Sequence, residues 1–265
     1  MEPLQLIDFG AISVTLFFLA VGSALDLKTR EVSNKLWLIS GPIGVLLSVS
    51  RLMIEPSWLI LTLASIGLTT LVSFGLFYLG LFGGADAKAI ICLGLALPLI
   101  PRSPEPLIGY LHPFFPIVVV IVGFVCSMSV ALWLGLQNLA SYLRQGRQMF
   151  DGLRQEPTWR KTLASITGYP TDVSKLRSTI YLYPIEEVVE DSEGAHRRFH
   201  LFFSAETDRD QMVSKFIESL LKVSSPSKVW VSPGLPMIVF IFLGLIITLV
   251  LGDPIFSAVF LLTAR

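Results

Sequence analysis

Stretches free of Asp, Glu, Lys and Arg alternate with short charged segments through the first half of the chain and return near its end. Six of them, at residues 9–25, 36–50, 56–85, 89–101, 106–143 and 229–252, read as membrane crossings, because an apolar helix needs about 20 residues to traverse a bilayer. The second and fourth are short when cut at the first charge. Snorkelling by Arg51 extends one, and a first helical turn at 85–88 extends the other. Beyond Gly252, Asp253 and Pro254 the chain is apolar again over 255–262. That segment is too short for another crossing and reads as the end of the sixth helix after a kink, or as an interfacial piece.

The pattern changes between the fifth and sixth crossings. Leu139, Tyr142, Leu143, Met149, Phe150 and Leu153 recur at loosely helical spacing, so the fifth helix is expected to continue out of the membrane until Pro157 and the Gly168-Tyr169-Pro170 turn interrupt it. Residues 179–189 and 197–203 are rich in β-branched and aromatic side chains around a turn signal at Ser192, Glu193 and Gly194, which predicts a hairpin. Thr207 or Asp208 is placed to cap a helix with Met212, Val213, Phe216, Ile217, Leu220 and Leu221 on one face, and residues 228–231 suggest an edge strand. The expected architecture is therefore an α-helical polytopic membrane protein of about six transmembrane helices, with a small α+β domain inserted between the fifth and sixth. Its parts are a membrane domain at 1–136, the insert at 137–234, and a sixth helix with tail at 235–265.

Composition supports this division. Of 265 residues 53% are apolar and 15% charged, where an ordinary soluble domain carries roughly 25% charged residues. Twenty basic and twenty acidic residues cancel, so no overall field favours a nucleic-acid partner. The segment 137–234 holds 13 of the basic and 12 of the acidic residues. With Lys28, Arg30, Lys35 and Lys88 grouped on the side of the insert, 17 cations oppose Arg51, Arg102 and Arg265. The positive-inside rule then expects a multi-pass plasma-membrane protein with the insert in the cytoplasm and both termini outside. Met1, Glu2 and Pro3 lack the basic flank of a signal peptide, so the first crossing is expected to be retained. Cys92 and Cys126 sit in apolar runs without CxxC spacing, and neither a disulfide framework nor a metal site is expected from them.

Ionisable groups at apolar borders are expensive and therefore functional candidates. Asp26 follows 17 charge-free residues and Asp86 follows 30. With an outside start both fall on the cytoplasmic face, where they can meet. Two carboxylates in a low-dielectric site share a proton, so one can take a proton from water while the other donates to a peptide carbonyl. Gly83 and Gly84, lacking side chains, leave room for a substrate backbone and permit unusual dihedrals.

These residues carry a resemblance. Asp26-Leu27-Lys28 with Asn34 eight positions after the aspartate, and Gly83-Gly84-Ala85-Asp86 with Lys88, resemble the two aspartate segments of the prepilin peptidase superfamily of membrane aspartic proteases, especially the archaeal preflagellin peptidases. The second is a GxGD-type motif, with Ala85 where the strict form has Gly. The resemblance implies removal of the short basic leader from flagellin or type IV pilin-like precursors at the cytosolic membrane face, with Asp26 and Asp86 catalytic. It implies no cofactor, since the four-cysteine zinc segment of some bacterial relatives is absent here. The expected partners are such precursors and the lipid bilayer, with no nucleic acid. Neither precursor identity nor oligomeric state is legible.

Supporting roles are weighed against plainer ones. Lys28 and Lys88 serve either the carboxylates or substrate carbonyls, or are cytosolic anchors. Asn34 orients its loop or caps the second helix. Glu186, Glu187, Glu190, Asp191 and Glu193 either attract a basic leader or form a solvated turn. Two other classes fit the same acids: a proton- or cation-coupled secondary transporter, and a non-catalytic membrane scaffold that displays the insert. The first is disfavoured because both acids lie at a boundary and no inverted repeat is evident.

Overall fold

The computed structural model describes residues 2–109, 112–191, 194–201, 208–221, 223 and 228–263. Two compact units emerge, one of Met1–Ser127 with Pro236–Arg265 and one of Met128–Leu235. The first is helical: α1 (Pro3–Thr29), α2 (Asn34–Ile54), α3 (Leu59–Tyr78, preceded by the 3₁₀ turn Pro56–Trp58) and α4 (Gly84–Ala96). Helix α5 (Phe115–Gln145) starts in this unit, and α9 (Met237–Leu251) and α10 (Pro254–Thr263) complete it. Among the described residues four helices are long and apolar enough to cross a membrane, namely α1, the Pro56–Tyr78 segment, α2 and α5; α9 is shorter.

Against the six expected crossings, four helices of that length are found among the described residues, and the limits of the expected segments shift. The third stops at Tyr78, not at residue 85, because Gly80 takes a left-handed φ of 70° and ends the helix. Its amide donates to Phe77 O and that of Leu81 to Leu76 O, a Schellman cap. The fourth, α4, has only 13 residues. Its apolarity reflects burial among α1, α2, α3 and α9, with Ala89, Ile90 and Leu93 sealed in the core. Hydroxyls of Ser48, Ser65 and Ser73 donate to the carbonyls of Leu95, Pro98 and Ala87, fixing α4 and the segment just after it from α2 and α3. A polar group in an apolar helix pack needs such an internal partner. The fifth begins at Phe115 instead of residue 106, and the sixth at Met237, because 229–231 belong to a strand. Backbones of α5 and α9 meet closely: a Cβ on Gly244 would lie 2.4 Å from Val119 O.

The second unit contains the rest of α5, a 3₁₀ turn at Gly146–Phe150, then α6 (Thr158–Thr167), β1 (Tyr169–Asp172), α7 (Val173–Ser178), β2 (Leu182–Pro184), β3 (Glu186–Asp191), β4 (Gly194–Phe199), α8 (Arg209–Leu220) and β5 (Lys228–Pro233). One antiparallel sheet has the order β1-β5-β2, and β3 pairs with β4 in a second. Strand β5 is central, not the expected edge: Val229, Trp230 and Val231 are consecutively buried, as a strand covered on both faces requires. The expected first hairpin strand divides at Ile185, whose amide and carbonyl bond to Trp230 O and His200 N. Its upstream part joins β5 and its downstream part pairs with β4. The second hairpin strand is Gly194–Phe199, and residues 202–203 lie outside the described residues.

Helix α8 buries Val213, Phe216 and Leu220 as expected, whereas Leu221 is exposed. Asp208 caps it, accepting from the amides of Asp210 and Gln211, and Thr207 lies outside the described residues. Between the predicted breaks at Pro157 and Gly168 stands an unpredicted helix, α6. Asn138 of α5 holds its end, donating to the carbonyls of Ser165 and Gly168 at 2.7 and 2.6 Å. The acid cluster also needs correction. Glu186 is 3% exposed and makes a bidentate pair with Arg197, so it is neither solvated nor available to a leader. Glu193 lies outside the described residues.

Candidate active site

Asp26 occupies the last turn of α1. That placement runs against the helix dipole, whose negative end lies at the C-terminus, so the fold tolerates an acid where propensity alone disfavours one. Arg30, one turn on, closes the helix in a left-handed conformation with φ of 59°, its amide donating to Asp26 O at 3.2 Å. The positive end of α9 faces the same carboxylate through the Ile238 amide, which lies in the first turn and has no intrahelical acceptor. The Asp26 Oδ2 atom is buried and has no hydrogen-bond partner among the described residues.

Asp86 approaches from a different part of the sequence. Gly80 turns the chain out of α3, and Phe82 anchors the connection in the core. Helix α4 starts at Gly84, which makes Asp86 its third residue. Its carboxylate reaches back to accept from the Gly83 amide at 3.0 Å, the acid half of a capping box. Asp86 senses the charge of both Asp26 and Arg30. The two aspartates therefore lie at one end of the helical unit, within range of each other's charge and of Arg30. No hydrogen bond joins their carboxyls.

The remaining predicted residues divide. Lys88 and Asn34 come together, Lys88 Nζ donating to Asn34 Oδ1 at 2.8 Å. This bond ties the start of α2 to the first turn of α4, next to both aspartate segments. Asn34 is not the cap of α2, since Ser33 takes that role and accepts from the Lys35 amide. A serine oxygen one residue earlier has the geometry for the cap and frees the Asn34 side chain for Lys88. Lys28 is exposed in the last turn of α1. Gly83 has an ordinary extended conformation, with φ of −75° and ψ of 163°, so the expected unusual dihedral is absent here and belongs to Gly80. Gly84 and Ala85 form the first turn of α4, half-buried. Arg30 was not singled out as a site residue by sequence. Its spacing of four from Asp26 on a helix is the signal that could have found it.

Comparison with known families gives two matches that together span most of the chain. Residues 13–143 match the model of the type IV leader peptidase family, and residues 160–254 match that of the archaeal peptidase A24 C-terminus, type II. The chain belongs to the type IV leader peptidase family. It is therefore a peptidase and, with several long apolar helices, a membrane protein. A preflagellin peptidase of Methanocaldococcus jannaschii is 28% identical over 247 residues, covering 89% of this chain and 92% of the relative. One of Methanococcus voltae is 25% identical over 256 residues, covering 94% and 98%. The first family match contains Asp26, Asp86, Arg30, Asn34 and Lys88. The second begins within α6 and ends after α9.

Proposed function

We propose that this leader peptidase acts on preflagellin or pilin-like precursors and that Asp26 and Asp86 are its catalytic pair. The carrying observation is that two acids, 60 positions apart in sequence, lie within range of each other's charge at one border of the helical unit, one of them with a carboxylate oxygen lacking a partner among the described residues. A satisfied structural acid has its lone pairs filled; an acid that handles water needs one open.

In this reading one carboxylate takes a proton from water while the other, protonated, donates to the scissile carbonyl. The water oxygen bonds to the carbonyl carbon, giving a tetrahedral intermediate. Collapse then breaks the C–N bond: the leaving amine takes the proton gained from water, and a hydroxyl of the diol intermediate returns its proton to the aspartate that had donated one as the new carboxyl group forms. Arg30 balances the negative charge of the pair. The side-chain-free Gly83 edge admits the substrate backbone next to Asp86. Because no hydrogen bond joins the carboxyls at rest, substrate binding draws them together before the proton can be shared, as catalytic contacts commonly tighten on binding.

Charge supports a cytoplasmic location for this end. Lys28, Arg30, Lys35 and Lys88 cluster there, whereas Arg51 and Arg102 lie at the other end of the helices, so the positive-inside rule favours aspartates and insert on the cytoplasmic side and termini outside. The test is cleavage of a leader-bearing pilin-like precursor by membranes containing the protein. Asp26→Asn and Asp86→Asn each abolish product in this reading, and normal processing by either variant refutes the pair. Acid-dependent ion uptake into proteoliposomes without cleavage would instead favour a transporter.

A further inference from the structure

A cavity of about 690 Å³ lies within the second unit, between the end of α5 and α6. Its apolar side is formed by Leu139, Tyr142, Phe150 and Ile166, and its polar side includes Arg154 and Lys161 with the hydroxyls of Thr158 and Thr162. Two cations and no carboxylate are among its lining residues. Lys161 is held by neutral groups: Nζ donates to Arg154 O at 2.8 Å and stands 5.8 Å from the centroid of the Phe150 ring. Among the described residues no carboxylate pairs with it. Arg154 has an ion pair with Asp151 at 3.4 Å, but both are largely exposed, and such pairs contribute little.

The surroundings of the cavity are those of a membrane border. At about 1.5 Å per residue, the 31 residues of α5 exceed the roughly 20 needed to cross, and the cavity begins at Gly135, where the excess starts. Leu132, Leu136, Leu139 and Leu143 form one exposed stripe on α5, and Trp159, Leu163 and Ile166 form another on α6. Both follow helical spacing, and neither is covered by protein. A Cβ on Gly135 would stand 3.8 Å from the Ile166 side chain, so the stripes adjoin. Trp159 is 54% exposed with the Arg160 guanidinium 5.2 Å from its ring, a pairing suited to the headgroup level.

We infer that this cavity binds the headgroup of an anionic phospholipid from the bilayer that α5 crosses, with Arg154 and Lys161 on the phosphate and the acyl chains along the two exposed stripes. Charge selects this occupant: two cations beside apolar surface, Lys161 held by neutral groups and Arg154 in an exposed ion pair only, match an acidic lipid, which basic pockets at the ends of membrane helices bind. A soluble anion would leave the stripes in water. The site is independent of the aspartate pair and holds whatever substrate is cleaved.

The test uses the full chain in mixed phosphatidylcholine and phosphatidylglycerol vesicles, extracted mildly and examined by native mass spectrometry for retained lipid. The wild type retains phosphatidylglycerol in preference to phosphatidylcholine, and Arg154→Gln/Lys161→Gln lowers that retention about tenfold or more. The charge-conserving Arg154→Lys/Lys161→Arg keeps it, which separates lost charge from lost folding. Equal retention of both lipids by the wild type overturns the proposal, as does equal loss in the neutral and charge-conserving variants. A dimer that the neutral pair dissociates, with no lipid bound, would assign the face to a second copy and likewise overturn it.

Discussion

Helix α1 carries one aspartate near each end, roughly 27 Å apart along its axis at about 1.5 Å rise per residue, and the two live in opposite circumstances. Asp8 is 1% exposed and saturated. Its Oδ1 lies 3.4 Å from Arg51 Nη1, and its Oδ2 accepts from the Arg102 amide at 2.8 Å. Arg102 in turn pairs with Glu55, and the buried Asp253, at the far end of α9, accepts from the amides of His112 and Phe256. At the other end Asp26 keeps one buried oxygen without a partner and faces a second carboxylate. Both acids are costly in an apolar helix. One has been neutralised into a fastening and the other keeps an open oxygen next to a second carboxylate, so burial alone does not separate the two, and the proposed catalytic role rests on that difference in partners.

The largest effect that would sharpen this contrast is on turnover. Asparagine at Asp86 is expected to lower leader cleavage by at least about three orders of magnitude, as loss of one member of a catalytic unit does, with little change in thermal unfolding. Saturated acids should behave in reverse. Glu186→Ala leaves Arg197 buried without its bidentate partner and should cost about 3–5 kcal/mol of stability in the second unit, read from denaturant or thermal unfolding of the full chain. Asp8→Asn should cost somewhat less, about 2–3 kcal/mol, because the amide oxygen still accepts from Arg102. Cleavage per folded molecule should stay near wild type. The smallest effect belongs to the Asn34–Lys88 bond. Lys88→Met removes one charge-assisted hydrogen bond and should slow cleavage several-fold, consistent with about 1 kcal/mol, through the rate more than through substrate affinity. A Lys88→Met rate as low as that of the aspartate variants would break the distinction between positioning and chemistry.

Much of this was legible in the chain because the relevant signals are local. Charge-free runs gave the long helices, and scarce acids at their borders singled out Asp26 and Asp86, the pair on which the proposed chemistry rests. The alternation of Val213, Phe216 and Leu220 gave the face of α8. What was not legible depends on partners distant in sequence. Helix α4 reads as a short crossing until the helices that bury it are known, and β5 reads as an edge until its two neighbours are. Helix α6 is only ten residues long and is bounded by the Pro157 and Gly168 signals that pointed to interruption; only Ala164 is buried while Trp159, Leu163 and Ile166 are exposed, so no core pattern announced it. Pro170 suggested a turn, yet it sits in β1, an outer strand where a missing amide is tolerated. The Asn34–Lys88 bond spans 54 positions, and no spacing rule reaches that far.

The central claim, that the open aspartate end performs the chemistry and the saturated end holds the helices, is tested most directly by one paired assay. Cleavage of a leader-bearing precursor is measured for Asp26→Asn and Asp8→Asn in membranes and normalised to folded protein. The account predicts no product from Asp26→Asn despite an unchanged melting temperature, and near-normal turnover per folded molecule from Asp8→Asn despite a lowered one. Wild-type cleavage by Asp26→Asn would contradict it.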